Sequence, residues 1–149
     1  MCERLKLPNY QSLQPNYNLY DRANYETHLE PTVQQLGLGV ISFYSLAAGF
    51  LTGKYRSEAD LSKSSVRGYK VKNFMNERGF AIIDALEDVA GELNATPTQV
   101  ALAWLMARPS VTAPIASASR LEQLPDLIAA VDLKLGDEAI QRLNTASAY

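Results

Sequence analysis

The sequence predicts an α/β protein with a parallel sheet. Short stretches of β-branched and aromatic residues alternate with stretches whose apolar residues recur at helical spacing. Their order is strand, helix, strand, long loop, helix, helix, strand, helix, helix, and such alternation is typical of parallel βα units. The chain has 149 residues, of which 47% are hydrophobic, and no visible linker, so residues 1–149 are predicted to form a single domain.

The first predicted elements are a strand over residues 10–14, a turn-rich loop over residues 15–24 and a helix. Gly37 is placed to end that helix in a left-handed conformation. The apolar face of the helix consists of Leu29, Val33 and Leu36. Residues 40–44, with the sequence VISFY, then give the strongest strand signal in the chain.

A long segment without a helical or strand period follows and extends to about Asn73. A loop of this length inside a compact domain is usually functional or mobile. The next helix is predicted from its apolar positions, which are Ile82, Leu86, Val89 and Leu93. Another helix begins at once, because Thr96, Pro97 and Gln99 supply an N-cap, a proline in the first turn and the glutamine of a capping box.

The last part of the chain is predicted to contain one strand and two helices. Residues 111–115 have the pattern of a strand. Ser119 and Glu122 predict a second capping box. The helix that it opens has an apolar face made of Leu124, Leu127 and Ile128. Gly136 begins a short final helix that continues through Leu143.

Composition and charge argue against several functions. The net charge is −2 and the basic residues are scattered, so no nucleic-acid partner is expected. One cysteine and one histidine cannot form a zinc site. No apolar run reaches the ~20 residues of a membrane span, and the N-terminus does not resemble a signal peptide, so we expect a cytoplasmic chain with no membrane partner. One phosphate group would fit the densest basic cluster, which is Lys63, Arg67, Lys70 and Lys72.

Residues 117–120, with the sequence SASR, form a candidate anion-binding motif. They lie directly after a predicted strand and at the start of a capped helix, where free N–H groups attract anions. Arg120 would add a bidentate contact to a phosphate. An ordinary tight turn between a strand and a helix fits the same residues equally well, so composition leaves both interpretations open.

Four segments resemble the aldo-keto reductase family in order and spacing. They are SLQPNYNLYDR at residues 12–22, FYSLAAGFLTGKYR at residues 43–56, TPTQVALAWLMARP at residues 96–109 and APIASASRLEQL at residues 113–124. The resemblance covers nearly the whole chain. It implies the C-terminal half of a (β/α)8 TIM barrel, roughly strands 6 to 8 with their helices, and therefore an incomplete barrel. It also implies NADP(H) bound in extended form at the carboxyl ends of the strands.

The resemblance assigns the nicotinamide and pyrophosphate end of this cofactor site. Gln14 matches the glutamine that hydrogen-bonds the nicotinamide carboxamide. Phe43 matches the aromatic residue that stacks on the nicotinamide ring, and Tyr44 takes this place if the register shifts by one residue. The residues expected near the phosphates are Ser45, Leu46, Lys54 and Arg67.

The resemblance also assigns the adenosine end. Arg120 is the expected partner of a 2′-phosphate. Ser117 belongs to the same predicted site, although many relatives have glycine there, and Leu127 stands where many have an adenine-binding asparagine. The preference for NADP over NAD is therefore left open. The other positions expected to contact adenosine are Ser119, Gln123 and Asp126.

No residue of this chain matches the family's catalytic tyrosine, lysine, aspartate or histidine, which lie on the first strands of the barrel. The resemblance therefore implies reduction of a carbonyl to an alcohol by the complete enzyme, and no activity of this chain alone. Three interpretations follow. The chain is a truncated aldo-keto reductase reading frame, or part of a split enzyme completed by a separately encoded N-terminal half, or a nonenzymatic nucleotide-binding module that self-associates through open sheet edges.

Overall fold

Three short strands form a parallel sheet in the computed structural model, which describes Lys6, residues 8–63 and residues 68–149. The strands are β1 (Ser12–Leu13), β2 (Gly39–Ser42) and β3 (Ala113–Pro114), and β2 lies in the middle. Leu13 pairs with Val40, and Ile41 pairs with Ala113. The predicted parallel α/β fold is therefore confirmed, and the carboxyl ends of all three strands meet at one edge of the sheet.

Helices connect and cover these strands. The α-helices are α1 (Glu30–Leu36), α2 (Gly68–Val71), α3 (Glu77–Glu92), α4 (Pro97–Met106), α5 (Leu124–Ala129) and α6 (Asp137–Ala146), and a π-helical turn over Tyr25–Leu29 leads into α1. Shorter 3₁₀ segments span Ala47–Thr52, Glu58–Lys63, Lys72–Phe74 and Leu121–Gln123. The described residues of the region that shows no period in the sequence thus fold largely as short helical pieces. No helix in the described part of the chain has the length and apolar character needed to cross a bilayer.

Two predicted helix ends are confirmed and one is wrong. Gly37 ends α1 with a φ of 62°, and Thr96 and Gln99 form a complete capping box at the start of α4. Glu122 does not cap α5. Instead, the Gln123 side-chain oxygen accepts hydrogen bonds from the Ser119 backbone N–H at 2.9 Å and from its hydroxyl at 3.2 Å. The predicted capping box of Ser119 and Glu122 is therefore absent, and a 3₁₀ turn over Leu121–Gln123 precedes the α-helix.

The core lies between the sheet and helices α3, α4 and α6. Trp104 on α4 is fully buried, and its indole N–H donates to the Asn144 side-chain oxygen on α6 at 3.0 Å. The ring of Tyr17 packs 5.6 Å from that of Trp104. Each large apolar side chain that is fully buried stabilises the fold by about 1.5–3 kcal/mol. The other largest fully buried side chains are Tyr25, Tyr55, Phe50, Leu19, Leu51, Ile82, Ile83, Leu86, Leu105 and Leu143.

A buried ion pair joins the turn after β1 to the end of α6. The Arg22 guanidinium donates to both Glu26 carboxylate oxygens, at 2.8 and 3.0 Å, and also to the Asn144 backbone oxygen at 3.0 Å. The Tyr17 hydroxyl donates to Glu26 at 2.8 Å. Burial alone raises the pKa of the Glu26 carboxyl, but the hydrogen bonds from Arg22 and Tyr17 lower it by more, so that this pKa lies below its usual range.

We expect Glu26→Gln to lower the free energy of unfolding by about 3 kcal/mol near neutral pH, because it leaves Arg22 buried without its counter-charge. The pKa of Glu26 is lower in the folded state than its ordinary value of 4.5, so the ion pair contributes its full stability above that pH. That contribution is lost as the pH falls through the folded pKa. Urea unfolding at pH 6 and pH 3 should show that the difference in unfolding free energy between wild type and Glu26→Gln is smaller at pH 3. An equal difference at both pH values would contradict a lowered pKa of Glu26 in the folded state.

Gly79, in the first turn of α3, is required by a close approach of the chain. A Cβ placed on it would lie 1.8 Å from the Phe74 carbonyl oxygen, far inside van der Waals contact. We expect Gly79→Ala to cost about 3 kcal/mol or more, because backbone must move. Gly91→Ala in the same helix is the matched control, since a Cβ there would meet nothing within 4 Å besides its chain neighbours and the backbone of its own helix. The control should gain about 0.5–1 kcal/mol in urea unfolding.

Candidate functional site

A cavity of about 450 Å³ opens at the carboxyl edge of the sheet, beside the ends of β2 and β3. This is the edge at which parallel α/β proteins bind ligands. Its volume and its mixed apolar and polar lining are those of a small-molecule site. The lining residues are Phe43, Tyr44, Ser45, Leu46, Ala48, Gly49, Thr52, Lys54, Tyr69, Lys70, Thr98, Ile115, Ala116, Ser117, Ser119, Gln123, Asp126 and Leu127.

The loop that follows β2 forms one wall of the cavity in an unusual backbone conformation. Four of its residues have φ in the left-handed region, which are Tyr44 at 56°, Ala47 at 47°, Ala48 at 58° and Gly49 at 94°. For a residue other than glycine this conformation costs on the order of 1–3 kcal/mol. Such residues are concentrated at binding and active sites, because the surrounding structure must hold them there.

Buried neighbours hold this loop. Ala47, Phe50 and Leu51 are fully buried beneath it. The Ala47 N–H donates to the Tyr44 carbonyl oxygen at 2.7 Å, and the Gly49 N–H donates to the Leu46 carbonyl oxygen at 2.8 Å. The two hydrogen bonds fix the turns of the loop, and the buried side chains anchor one side of it in the core while its other side faces the cavity.

Aromatic and cationic side chains share this wall. The rings of Phe43 and Tyr44 lie 5.3 Å apart, and both are partly exposed. The Lys70 ammonium donates a short hydrogen bond to the Tyr44 hydroxyl, and this hydrogen bond raises the pKa of Lys70. The Lys54 ammonium lies 5.0 Å from the ring centroid of Tyr55. The cavity therefore presents flat aromatic surface together with two positive charges.

The opposite wall follows β3 and carries hydrogen-bonding groups. Gln123 is held by Ser119, as described for the start of α5. Asp126 accepts a hydrogen bond from the Thr96 hydroxyl at 2.8 Å. The same hydroxyl caps α4 by accepting from the Gln99 N–H at 3.2 Å. A helix cap thus fixes the position of the Asp126 carboxylate in the cavity.

The structure brings most of the predicted site residues to this one cavity. Gln14 is exposed at the end of β1, on the same edge of the sheet, but it does not line the cavity. Arg120 is exposed at the start of the 3₁₀ turn and also lies outside the lining. Arg67 lies outside the described residues. The nine predicted residues that line the cavity are Phe43, Tyr44, Ser45, Leu46, Lys54, Ser117, Ser119, Gln123 and Asp126.

Several lining residues were not among the predicted site residues. Lys70 belongs to the basic cluster of the sequence, and this cluster is the feature from which its place in the site could have been predicted. Ile115 ends the predicted third strand, so its position at the sheet edge could also have been predicted from the sequence. Thr98 and Thr52 carry no local signal, since only the packing of α4 and of the 3₁₀ segment brings them to the cavity.

The fold and the cavity together define an α/β protein whose ligand pocket lies at the carboxyl edge of a parallel sheet, an arrangement shared by cofactor-binding enzymes. Comparison with models of known protein families identifies the family within this class to which the chain belongs. The model of the aldo/keto reductase family matches residues 2–148, and the chain belongs to that family.

Curated relatives are moderately similar over most of this chain. An uncharacterized oxidoreductase, YrpG, of Bacillus subtilis is 35% identical over 143 residues, covering 96% of this chain and 42% of the relative. A probable voltage-gated potassium channel subunit beta of Arabidopsis thaliana is 33% identical, covering 89% and 42%. The aldo-keto reductase yakc [NADP(+)] of Schizosaccharomyces pombe is 30% identical, covering 72% and 32%. The matched part of the chain thus corresponds to less than half the length of each relative.

Gly49 offers a test of the strained loop. Its φ of 94° is reserved for glycine, so we expect Gly49→Ala to lower the free energy of unfolding by about 1–3 kcal/mol. Ala48→Gly is the reciprocal control, since it relieves strain at a φ of 58° but removes a buried methyl group worth about 0.8 kcal/mol. Its net effect should be small. Equal destabilisation by both variants would show that strain is not the cause.

Proposed function

We propose that this chain carries the NADP(H)-binding part of an aldo-keto reductase, an oxidoreductase that reduces an aldehyde or ketone to an alcohol. The observation that best supports this proposal is the cavity at the sheet edge. It combines an aromatic surface, two lysines and a set of hydrogen-bonding side chains over one continuous lining. Family membership supports the reaction class, and the relative from Schizosaccharomyces pombe named for NADP(+) supports the choice of cofactor.

The lining fits the chemistry of an extended dinucleotide. Phe43 would stack on the nicotinamide ring, and Gln14 at the end of the neighbouring strand would hold its carboxamide. Lys54 and Lys70 would neutralise the pyrophosphate, beside the loop that contains Ser45 and Leu46. The bound cofactor supplies a hydride to the carbonyl carbon. The protein residues bind and orient it, and the aromatic contact determines which face of the ring is available.

The residues proposed for the adenosine end lie on the other wall. Ser119, Gln123 and Asp126 present hydroxyl, amide and carboxylate groups, and the last two are held in place by neighbouring hydrogen bonds. Ser117 would lie under the adenosine. Arg120, exposed just outside the cavity, would reach a 2′-phosphate and thus favour NADP(H) over NAD(H).

We further propose that the sheet is the C-terminal part of a (β/α)8 barrel, roughly strands 6 to 8. Val40 and Ser42 on β2 are fully buried, whereas Ile41 between them is 38% exposed and Phe43 is 37% exposed. Ile115 after β3 is 41% exposed. A complete barrel fills its interior with such apolar residues. The greater length of the relatives supports the idea that further strands cover this face.

Reductase activity would accordingly belong to the completed barrel. No residue of this chain is proposed as the proton donor to the carbonyl oxygen, so the chain supplies the cofactor site and another segment supplies the acid. A nonenzymatic nucleotide-binding module is the second candidate, because the exposed inner face of the sheet would also accept a second copy of the chain. The two candidates differ in whether adding the missing strands produces turnover.

Cofactor titration tests the proposed function. The purified chain should enhance NADPH fluorescence, and Lys54→Ala or Lys70→Ala should each weaken binding about tenfold, because each removes a charge-assisted contact. Lys134→Ala, exposed and outside the cavity lining, is the matched control and should bind normally. Arg120→Ala should reduce the preference for NADPH over NADH.

The same titration is repeated after mixing the chain with the part of the Bacillus subtilis relative that precedes the segment matched by this chain. Carbonyl-dependent NADPH oxidation in the mixture would favour the reductase. Binding with a defined oligomer and no turnover would favour the nonenzymatic module. Absence of NADPH binding both alone and in the mixture would refute both.

A further inference from the structure

The turn after β1 contains a polar side chain with no exposure to solvent. Asn18 is fully buried, and its side-chain oxygen accepts hydrogen bonds from the Tyr20 N–H at 2.8 Å and the Asp21 N–H at 2.9 Å. These two contacts close a local turn of the kind that asparagine commonly forms. They use only the oxygen of the amide, and the amide nitrogen has a different set of partners.

The Asn18 amide nitrogen reaches across to the loop that follows β2. It donates to the Tyr44 carbonyl oxygen at 3.0 Å, although the two residues are 26 positions apart in sequence. Weaker contacts run from the same nitrogen to Asp21 at 3.3 Å and Asn16 at 3.4 Å. The contact with Tyr44 is therefore the shortest that this nitrogen makes.

The accepting carbonyl is the one that begins the left-handed loop. Tyr44 has a φ of 56°, which is a genuine outlier for an aromatic residue, and its carbonyl also accepts from the Ala47 N–H at 2.7 Å. A strained conformation persists only where surrounding contacts impose it. The Asn18 amide is a buried contact from another segment that acts directly on the strained residue.

We propose that Asn18 is a positioning residue for the cofactor cavity. Its amide holds the Tyr44 carbonyl so that Tyr44 stays left-handed, and the loop from Tyr44 to Gly49 then forms the cavity wall. The same amide ties the turn after β1 to the end of β2, and these two strand ends carry Gln14 and Phe43. This inference rests on the proposed function as far as the identity of the ligand is concerned, but the control of the loop does not.

A purely structural role in the local turn is the competing explanation, and an exchange variant separates the two. In the double variant Asn18→Asp with Asp21→Asn, the oxygen that closes the turn is kept. The amide and carboxylate at positions 18 and 21 trade places, so their contact and the net charge are also kept. What is lost is the donor toward the Tyr44 carbonyl. Asn18→Ala, which loses both roles, is the reference for complete disruption.

Hydrogen exchange measured without cofactor reports on the loop itself. We expect the exchange variant to unfold at lower urea concentration, because a carboxylate is then buried at position 18. The amides from Ser45 to Gly49 should exchange faster by a larger factor than the core amides of α3 and α4, which report the global loss of stability. In a Tyr44→Gly background the left-handed conformation carries little strain. Swapping the side chains at positions 18 and 21 should then raise the hydrogen-exchange rates of the loop amides by a smaller factor. Unchanged loop exchange in the variant would overturn the proposal.

NADPH titration then tests the link to the cofactor. We expect the exchange variant to bind about tenfold more weakly than wild type, the effect of one hydrogen bond. Faster loop exchange with unaltered NADPH affinity would overturn the role in cofactor positioning. If the wild-type chain does not bind NADPH, the proposed function fails. The hydrogen-exchange result would still decide whether Asn18 holds the loop.

Discussion

The pairing of β2 with a parallel neighbour on each side is the constraint on which the rest of the structure depends. On one side the Phe43 N–H donates to the Pro15 carbonyl oxygen at 2.9 Å, and on the other the Ile115 N–H donates to that of Ser42 at 2.8 Å. Three segments that are far apart in sequence therefore end at the same edge. The cavity and most of the residues proposed to bind the cofactor follow from that shared edge.

The loop after β2 shows how the core supports a binding wall. A left-handed tyrosine and two left-handed alanines are individually unfavourable, and nothing in their local sequence requires this conformation. Burial of Phe50 and Leu51 contributes about 1.5–3 kcal/mol each, enough to offset a comparable strain in the preceding residues. The geometry of the site is thus a property of the packed domain and not of the loop alone.

Local signals explain which parts of the fold could be predicted from sequence. Gly37, Thr96 and Gln99 act on backbone groups within four residues of themselves, so their roles can be predicted from the local sequence. The strand at residues 40–44 was likewise marked by its residue types, although the paired strand ends at Ser42. The site residues assigned from the family resemblance make up half of the cavity lining, because its motifs lie at the ends of β2 and β3.

Contacts between distant segments could not be predicted in this way. Tyr44 and Ala48 carry no glycine-like signal for a left-handed conformation, and the contact of Lys70 with Tyr44 spans 26 residues. Ser119 pairs with Gln123 instead of Glu122, beside a 3₁₀ turn that the capping pattern does not predict. The apolar face predicted for α5 includes Leu124 and Ile128, which are 45% and 61% exposed, since no described element packs over them.

The contacts of Arg22 and Trp104 with Asn144 set the order in which this chain completes its fold during synthesis. Synthesis runs from the N-terminus, so both side chains leave the ribosome before Asn144, which supplies an acceptor to each of them. Until α6 follows, the Trp104 indole lacks its acceptor, and the Arg22 guanidinium has Glu26 but lacks its contacts with Asn144 and Ser147. Nascent chains that stop before α6 therefore leave part of the core uncovered, and such exposed apolar surface favours aggregation.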